Sequence, residues 1–314
     1  MTEDHFSVIT KRNQTIIDKA QNIKQDFVVG VVTPTTSESL GAVAKAFAEK
    51  LIRPIIYGPV TEIRKVAKNL NIDISKIDFV DIKTKADAAK KAVADAAAGK
   101  LNALMKGDIH TDLLMHEVVA REGGLRTNRR ISHTTVLDVP TYEKLMIFSD
   151  AAINIAPDLL TKKDIVQNAI DFAHALGIPH PNVALLSFVE NVMASSQDSM
   201  NSAMLCKMAE RGQIKGGILD GPISIDLAVS KAAMQDKRFN RILPELPDIF
   251  IAPDINAANI GIKILDYFAN AQSSGIVVGT KVPVVLMRRS SPPVEHHISC
   301  ALAKIYANWL ANNQ

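Results

Sequence analysis

Residues 27–57 decide the fold class. They read Phe27-Val28-Val29-Gly30-Val31-Val32, a break at Pro34, an Ala/Leu-rich stretch from Ser37 to Leu51, then a second run from Arg53 to Tyr57. The first run is apolar at successive rather than alternate positions, so a strand there is covered on both faces. The stretch after it spaces its apolar residues for a helix. Strand, helix and strand over about thirty residues make a βαβ unit, the crossover that parallel pairing needs.

The alternation continues outward from this unit. Val60 to Leu70 reads as a helix, followed by strand Phe79–Ile82 with helix Ala86–Ala98, and strand Ala103–Met105 with helix Thr111–Arg121. Later strands are expected at Val183–Phe188, Gly216–Leu219, Ile249–Ala252, Ile276–Gly279 and Val282–Met287. Helices are expected near Lys162–Leu176, Ser199–Arg211, Ile225–Met234, Asn256–Ala271 and Val294–Leu310. The class is α/β. From Arg126 to Asp150 polar and apolar residues mix at shorter spacing, which reads as a crossover between two lobes. The first lobe is placed at 1–137 plus 282–314 and the second at 138–281.

A chain of 314 residues is long enough for two ordinary domains. With 47% hydrophobic and 22% charged residues it has the composition of a packed protein. A net charge of +3 gives no sign of a nucleic-acid surface. Cys206 and Cys300 form no CxxC pair and no zinc spacing, and read as free thiols in a reducing compartment. The acidic start Met1-Thr2-Glu3-Asp4-His5 lacks the pattern of a signal peptide. No apolar run reaches the roughly 18–20 residues of a bilayer span. A soluble, cytoplasmic protein is expected.

Ligands of parallel α/β sheets collect where strands end and helices begin, and four such junctions here carry Gly, Asp, Ser or Arg. In Leu104-Met105-Lys106-Gly107-Asp108-Ile109-His110-Thr111, Gly107 lets the backbone turn closely and Thr111 is expected to cap the next helix. Lys106 suits a phosphate or carboxylate, although an ordinary connection explains the same residues. After the pair Gly123-Gly124, Arg126, Arg129 and Arg130 can fork onto phosphate oxygens; a solvated basic loop has the same composition. Ser132 and His133 supply hydrogen-bonding groups with no triad spacing behind them.

The third junction, Leu219 to Asp226, reads as a strand, an Asp220-Gly221-Pro222 turn and a helix. Asp220 is then a turn former and Asp226 a first-turn acid, or both contact a ligand. Likewise Asp254 of Ala252-Pro253-Asp254 is a helix N-cap or a ligand, ahead of Asn256, Asn259 and Lys263. In the fourth, Met287-Arg288-Arg289-Ser290-Ser291-Pro292-Pro293-Val294-Glu295, two arginines leave a strand and Ser291-Pro292 starts a helix. Glu295 lies in its first turn, where the helix dipole alone favours an acid. Neither GxGxxG after the first strand nor GxxxxGK(S/T) occurs, so nucleotide binding by those routes is not expected. His110, His116, His174, His296 and His297 form no i,i+4 pair around an acid, and no metal is expected.

In this order the junctions resemble the phosphate acetyl/butyryltransferase family, its butyryltransferase branch most. The matching runs begin with Leu104-Met105-Lys106-Gly107 and Thr111, Gly124-Leu125-Arg126-Thr127, Ser132-His133 and Asp150-Ala151-Ala152-Ile153-Asn154-Ile155-Ala156-Pro157-Asp158-Leu159. They continue through His174–Ile178, Gly212–Gly216, Asp220-Gly221-Pro222 with Asp226, Pro253-Asp254 with Asn259 and Lys263, Gly275–Gly279 and Pro283–Leu286. The resemblance runs from about Asp26 to Ala301. It implies two αβα lobes with a central cleft, like the isocitrate/isopropylmalate dehydrogenases, with the chain's end returning to the first lobe. It also implies a homodimer or larger homo-oligomer.

The implied reaction interconverts a short-chain acyl-CoA plus phosphate with acyl phosphate plus coenzyme A. Coenzyme A is a co-substrate and no further cofactor is implied. A carboxylate takes the thiol proton, the thiolate attacks the acyl carbonyl, and phosphate leaves. Arg289 matches the arginine of the family's Ser-Arg pair, and Glu295 stands where acetyltransferase members carry their acid. Ser132 and His133 join them as catalytic candidates. Lys106, Gly107, Thr111, Arg126, Arg288, Asp220, Asp226, Asp254 and Asn259 are substrate-binding candidates. The chain departs from the pattern in carrying Arg288 before Arg289, Glu295 for an aspartate and Ala258 before Asn259. Those departures motivate an alternative, a catalytically altered binder of coenzyme A or acyl phosphate. A metal- and NAD(P)-dependent dehydrogenase of the same fold, with Asp220, Asp226 and Asp254 as ligands, is the less favoured alternative.

Overall fold

The computed structural model describes residues 9–286 and 293–313. It divides into two compact units, one of residues 1–129 with 274–314 and one of residues 130–273. Each boundary lies eight residues before the one read from the sequence.

The first unit opens with α1 (Lys11–Asn22), which the strand–helix pattern did not reveal, capped by the Thr10 hydroxyl. Then come β1 (Val28–Val32), α2 (Ser37–Ala48), β2 (Arg53–Gly58), α3 (Val60–Asn69), β3 (Asp78–Asp81), α4 (Lys85–Ala97), β4 (Ala103–Lys106) and α5 (Thr111–Val118). All five residues of β1 are buried, as its unbroken apolar run requires. β1 pairs in parallel with both β2 and β4, and β2 with β3. Thr36 and Ser39 cap α2 reciprocally, which satisfies donors that a helix start leaves open. Thr111 does not cap α5. It is the first helical residue, and His110 takes the cap position without a side-chain bond.

The second unit begins where the sequence reads as a crossover. Instead, β5 (Ser132–Asp138) and β6 (Met146–Ser149) pair antiparallel as a hairpin. Then follow α6 (Leu159–Leu176), β7 (Asn182–Leu186), α7 (Gln197–Glu210), β8 (Ile218–Ile223), α8 (Ile225–Val229), α9 (Lys231–Asp236), β9 (Ile249–Ile251) and α10 (Ile255–Phe268). Strand order is β5-β6-β9-β7-β8, and all but β5 run parallel. Phe148 stacks on Phe250 at 5.3 Å between centroids, and Tyr142 meets the same ring edge-on at 6.0 Å. Leu137, Ile223, Leu243 and Ile262 complete this core.

Two local readings are corrected here. β8 runs through Asp220, Gly221 and Pro222, so these residues are strand and not turn; their register against β7 shifts between Ala184 and Leu186. The single helix expected at Ile225–Met234 is two, because Ser230 ends α8 in extended backbone and its hydroxyl caps α9.

The chain then returns to the first unit through β10 (Gln272–Val278), β11 (Val284–Val285) and α11 (Pro293–Asn313). β11 pairs in parallel with β4 and antiparallel with β10. α11 packs against α1 and α2.

Candidate active site

In the first unit the carboxyl ends of β1 and β4 lie side by side, Val32 opposite Lys106. Gly107 N–H donates to the Val32 carbonyl at 2.9 Å and Asp108 N–H to that of Thr33 at 2.8 Å. Thr33 itself has a φ of +49°, uncommon for a residue with a β-branched side chain. A carboxylate oxygen of Asp108 accepts from Thr35 Oγ1 at 3.1 Å and from Lys85 Nζ at 2.8 Å. Lys106 is buried at this edge, its Nζ donating to the Gly107 carbonyl at 3.2 Å. A cation held by backbone at a strand end suits an anionic ligand.

β11 runs parallel to β4 with Val285 opposite Met105, so it leaves the sheet at the same end as Lys106. Arg288 and Arg289, a few residues on, lie outside the described residues. Glu295 is half-buried in the first turn of α11, its carbonyl accepting from Ser274 Oγ at 3.2 Å. Arg126 is exposed, and its backbone bridges to Thr280 in the turn that precedes β11. That turn stands at the amino end of β11, so the Arg126 backbone and Lys106 occupy opposite ends of these strands. Thr111 is exposed at the start of α5.

In the second unit Thr134 of β5 lies opposite Ser149 of β6. The antiparallel turn therefore brings Ser132 and His133 to the carboxyl end of β6, beside Asp150. Asp150 is buried and receives five donors. Its Oδ1 accepts from the backbone of His133 at 3.2 Å, Ala152 at 3.0 Å and Ile153 at 3.1 Å. Its Oδ2 accepts from the Asn154 backbone at 3.0 Å and Asn154 Nδ2 at 2.6 Å. Asn154 Nδ2 also reaches the Ile131 carbonyl at 2.8 Å, so one carboxylate ties the start of β5 to the loop after β6. Ser132 is fully buried, and its Oγ accepts from Asn168 Nδ2 at 3.0 Å. His133 is half-buried with Nδ1 3.2 Å from Thr135 Oγ1.

The remaining candidates are held separately. Asp220 is buried and accepts from Ile242 N–H at 2.8 Å. Asp226 lies 3.0 Å from Lys237 Nζ, and Lys237 reaches Glu190 at 3.6 Å. Glu190 accepts from Ser224 Oγ at 2.5 Å. The Ser224 hydroxyl and the Lys237 ammonium hold the Asp226 carboxyl down at about 2. Asp254 caps α10, accepting from Ala257 N–H at 2.9 Å, and Asn259 Nδ2 donates to the Ala151 carbonyl at 3.2 Å. Among the described residues no three His, Cys, Asp or Glu side chains gather as a metal cluster. Burial pushes the thiols of Cys206 and Cys300 up to about 12, so neither is a ready nucleophile at neutral pH.

A hollow of about 480 Å³ opens at the same carboxyl edge, where α6, α7 and α10 begin. Pro157, Leu159, Met204 and Pro253 give it apolar walls; Asp158, Asp198 and Asp254 stand on its rim. Lys162, buried on α6, lies 2.5 Å from Asp198. Sequence reasoning passed over Asp150, Asn154, Asn168 and Lys162. The one signal for the first two was the Asp150–Asn154 run, whose acid and amide fall four residues apart.

A family model described as Phosphate acetyl/butaryl transferase matches residues 83–302. The chain belongs to the phosphate acetyl/butyryltransferase family. It is 44% identical over 277 residues to a phosphate acetyltransferase of Rhizobium meliloti, covering 88% of each chain. It is 36% identical to a phosphate butyryltransferase of Clostridium beijerinckii, over 89% of this chain and 92% of that one. The butyryl branch is thus not singled out by identity. A solved branched-chain phosphotransacylase from Enterococcus faecalis superposes with a TM-score of 0.78 at 31% identity, over 90% of this chain and 99% of that one. A 4-hydroxythreonine-4-phosphate dehydrogenase from Klebsiella pneumoniae reaches 0.56 at 13% identity, over 90% of this chain and 100% of that one. That likeness is one of fold alone and places this family member on a dehydrogenase-like α/β architecture. No described helix is long and apolar enough to cross a membrane.

Proposed function

We propose that this chain is a phosphate acyltransferase, interconverting a short-chain acyl-CoA and phosphate with acyl phosphate and coenzyme A. The family match over residues 83–302 carries this reading, because it runs through every candidate residue from Lys106 to Glu295. In the direction of acyl-CoA synthesis, Glu295 takes the proton of the coenzyme A thiol. The sulfur then forms its bond to the acyl carbonyl carbon, and the carbon–oxygen bond to phosphate breaks. A thiol with a pKa near 8.5 is mostly protonated at pH 7, so a base helps. Arg289 and Arg288 neutralise the charge that gathers on the carbonyl and phosphate oxygens. Lys106, with Arg126 and Thr111, binds phosphate groups, and Gly107 lets the chain approach them. His133 donates to the acyl-phosphate oxygens, while Ser132 fixes its strand. Asp220 in β8, Asp226 in the first turn of α8, Asn259 early in α10 and Asp254 at the cap of α10 hold the strand end and helix starts on which a co-substrate rests.

Coenzyme A is a co-substrate in this scheme and no cofactor takes part. The chain works in the cytoplasm as a homo-oligomer. The alternative readings find no support among the relatives, and the carboxylates a dehydrogenase would need are spent on Ile242, Lys237 and the cap of α10. Incubating the protein with acetyl- or butyryl-CoA and phosphate should release thiol, followed with a chromogenic disulfide reagent. An Arg289→Ala variant should lose about 10²–10³ in rate. No release with either thioester would overturn the reaction, and unchanged turnover in the variant would remove Arg289 from it.

A further inference from the structure

The turn of α11 that carries Glu295 is gripped from two sides. On one, Ser274 Oγ of β10 donates to the Glu295 carbonyl at 3.2 Å, and Gly275 N–H donates to Ser299 Oγ at 3.2 Å. On the other, His297 Nε2 lies 2.6 Å from a carboxylate oxygen of Glu49. Two residues beyond Glu295 a side chain has turned about 200° round the helix, so His297 points away from β10 and onto the end of α2. Its side chain is only 2% exposed, whereas that of Glu49 is 38% exposed. Glu49 directly follows the last residue of α2, where the helix dipole disfavours an acid. Local helix stability therefore gives no reason for a carboxylate at this position, and the contact with α11 gives it a use.

We propose that Glu49 and His297 are positioning residues of the acyl transfer, their hydrogen bond fixing the turn of α11 on which Glu295 stands. A carboxylate only accepts, so the proton between the two atoms sits on Nε2. Nδ1 is buried and meets no hydrogen-bond partner among the described residues. The neutral ring, with its one proton on Nε2, suits that setting, because a second N–H at Nδ1 would be buried unpaired. Burial lowers the proton affinity of His297 by more than the Glu49 charge raises it, and Lys45, one turn back on α2, lowers it too. What Glu49 supplies is thus an acceptor rather than a counter-charge. Without it a buried donor is left open, and the turn shifts or water enters to satisfy it. Glu295 is two residues away, and a displacement of about 1 Å in a reacting group lowers a rate by up to about 10²-fold.

This role rests on the acyltransferase reading, in which Glu295 is the base, so two readouts keep them apart. Hydrogen–deuterium exchange needs no acyl transfer. The amides of residues 297–301 should exchange about tenfold faster in Glu49→Ala than in the wild type. Glu49→Gln, which keeps the acceptor, should exchange like the wild type. In turnover of acetyl- or butyryl-CoA with phosphate, Glu49→Ala should lose about tenfold in kcat with KM little changed, and Glu49→Gln should restore it. In a Glu295→Ala background the Glu49→Ala change should lower kcat no further, because it acts through Glu295. Unchanged exchange in Glu49→Ala, a glutamine variant as impaired as the alanine, or an undiminished loss in the Glu295→Ala background overturns the role. A wild type without turnover overturns the reaction instead, and the exchange pattern still decides whether the pair fixes the turn.

Discussion

At Gly107 a methyl group has nowhere to go. A Cβ there would stand 2.5 Å from the Val32 carbonyl oxygen, 2.7 Å from that of Thr33 and 2.8 Å from Pro34 Cα. All three are backbone atoms, so no neighbour swings aside. Gly107→Ala should therefore cost about 1–3 kcal/mol and displace Lys106, seen as a lowered melting temperature; an unchanged melting curve would refute the close-packed reading. The residue type was legible, because glycine after an apolar run announces a tight turn. The reason for it was not, since the obstructing carbonyls belong to β1, whose pairing with β4 no local pattern reveals. Asp150 was hidden in the same way: its donors lie in β5 and in the loop after β6. Asp220 misled because Asp-Gly-Pro is a turn sequence in isolation, whereas pairing with β7 keeps it extended.

Elements were more legible than residues, because burial on both faces writes unbroken apolar runs and helix faces write a 3.6-residue period. Caps followed too: Asp254 is the N-cap that one of its two readings expected. The β5–β6 hairpin escaped because its neighbours are parallel strands, and a mixed run of polar and apolar residues has no single period. The end of β8 carries a prediction at this scale. Asp226 closes β8 onto α8 and is held at about 2 by Ser224 and Lys237. Its folded value lies below the about 3.9 of an unfolded aspartate, so the native state favours the ionised form. The stabilisation is present above about pH 4 and is lost as pH falls through 2. Water screens so exposed a pair, which keeps the effect small. Denaturant titrations of wild type and Asp226→Asn should differ near neutral pH and converge in acid. A gap that stays constant down to pH 2 would sink the assignment.

For the whole molecule, chain length and alternation indicated two α/β units, and the family fixed the architecture. What periodicity leaves out is which strand ends share an edge: strand register separates the Arg126 backbone from Lys106, and the β5 turn brings His133 to Asp150. The division into units has a measurable consequence. The second unit is continuous from 130 to 273 and owns a core built on Phe148, Phe250 and Tyr142, whereas the first needs two chain segments. Expressed alone, residues 130–273 should fold and unfold in one cooperative step, with near-UV circular dichroism from the packed Tyr142 and Phe250 rings. The single tryptophan, Trp309, lies in the first unit. In the intact protein its fluorescence reports that unit, whereas tyrosines lie in both, Tyr57 and Tyr306 in the first and Tyr142 and Tyr267 in the second. A fragment with helix content but no near-UV signal and a gradual melt would show that the core of residues 130–273 is not self-sufficient.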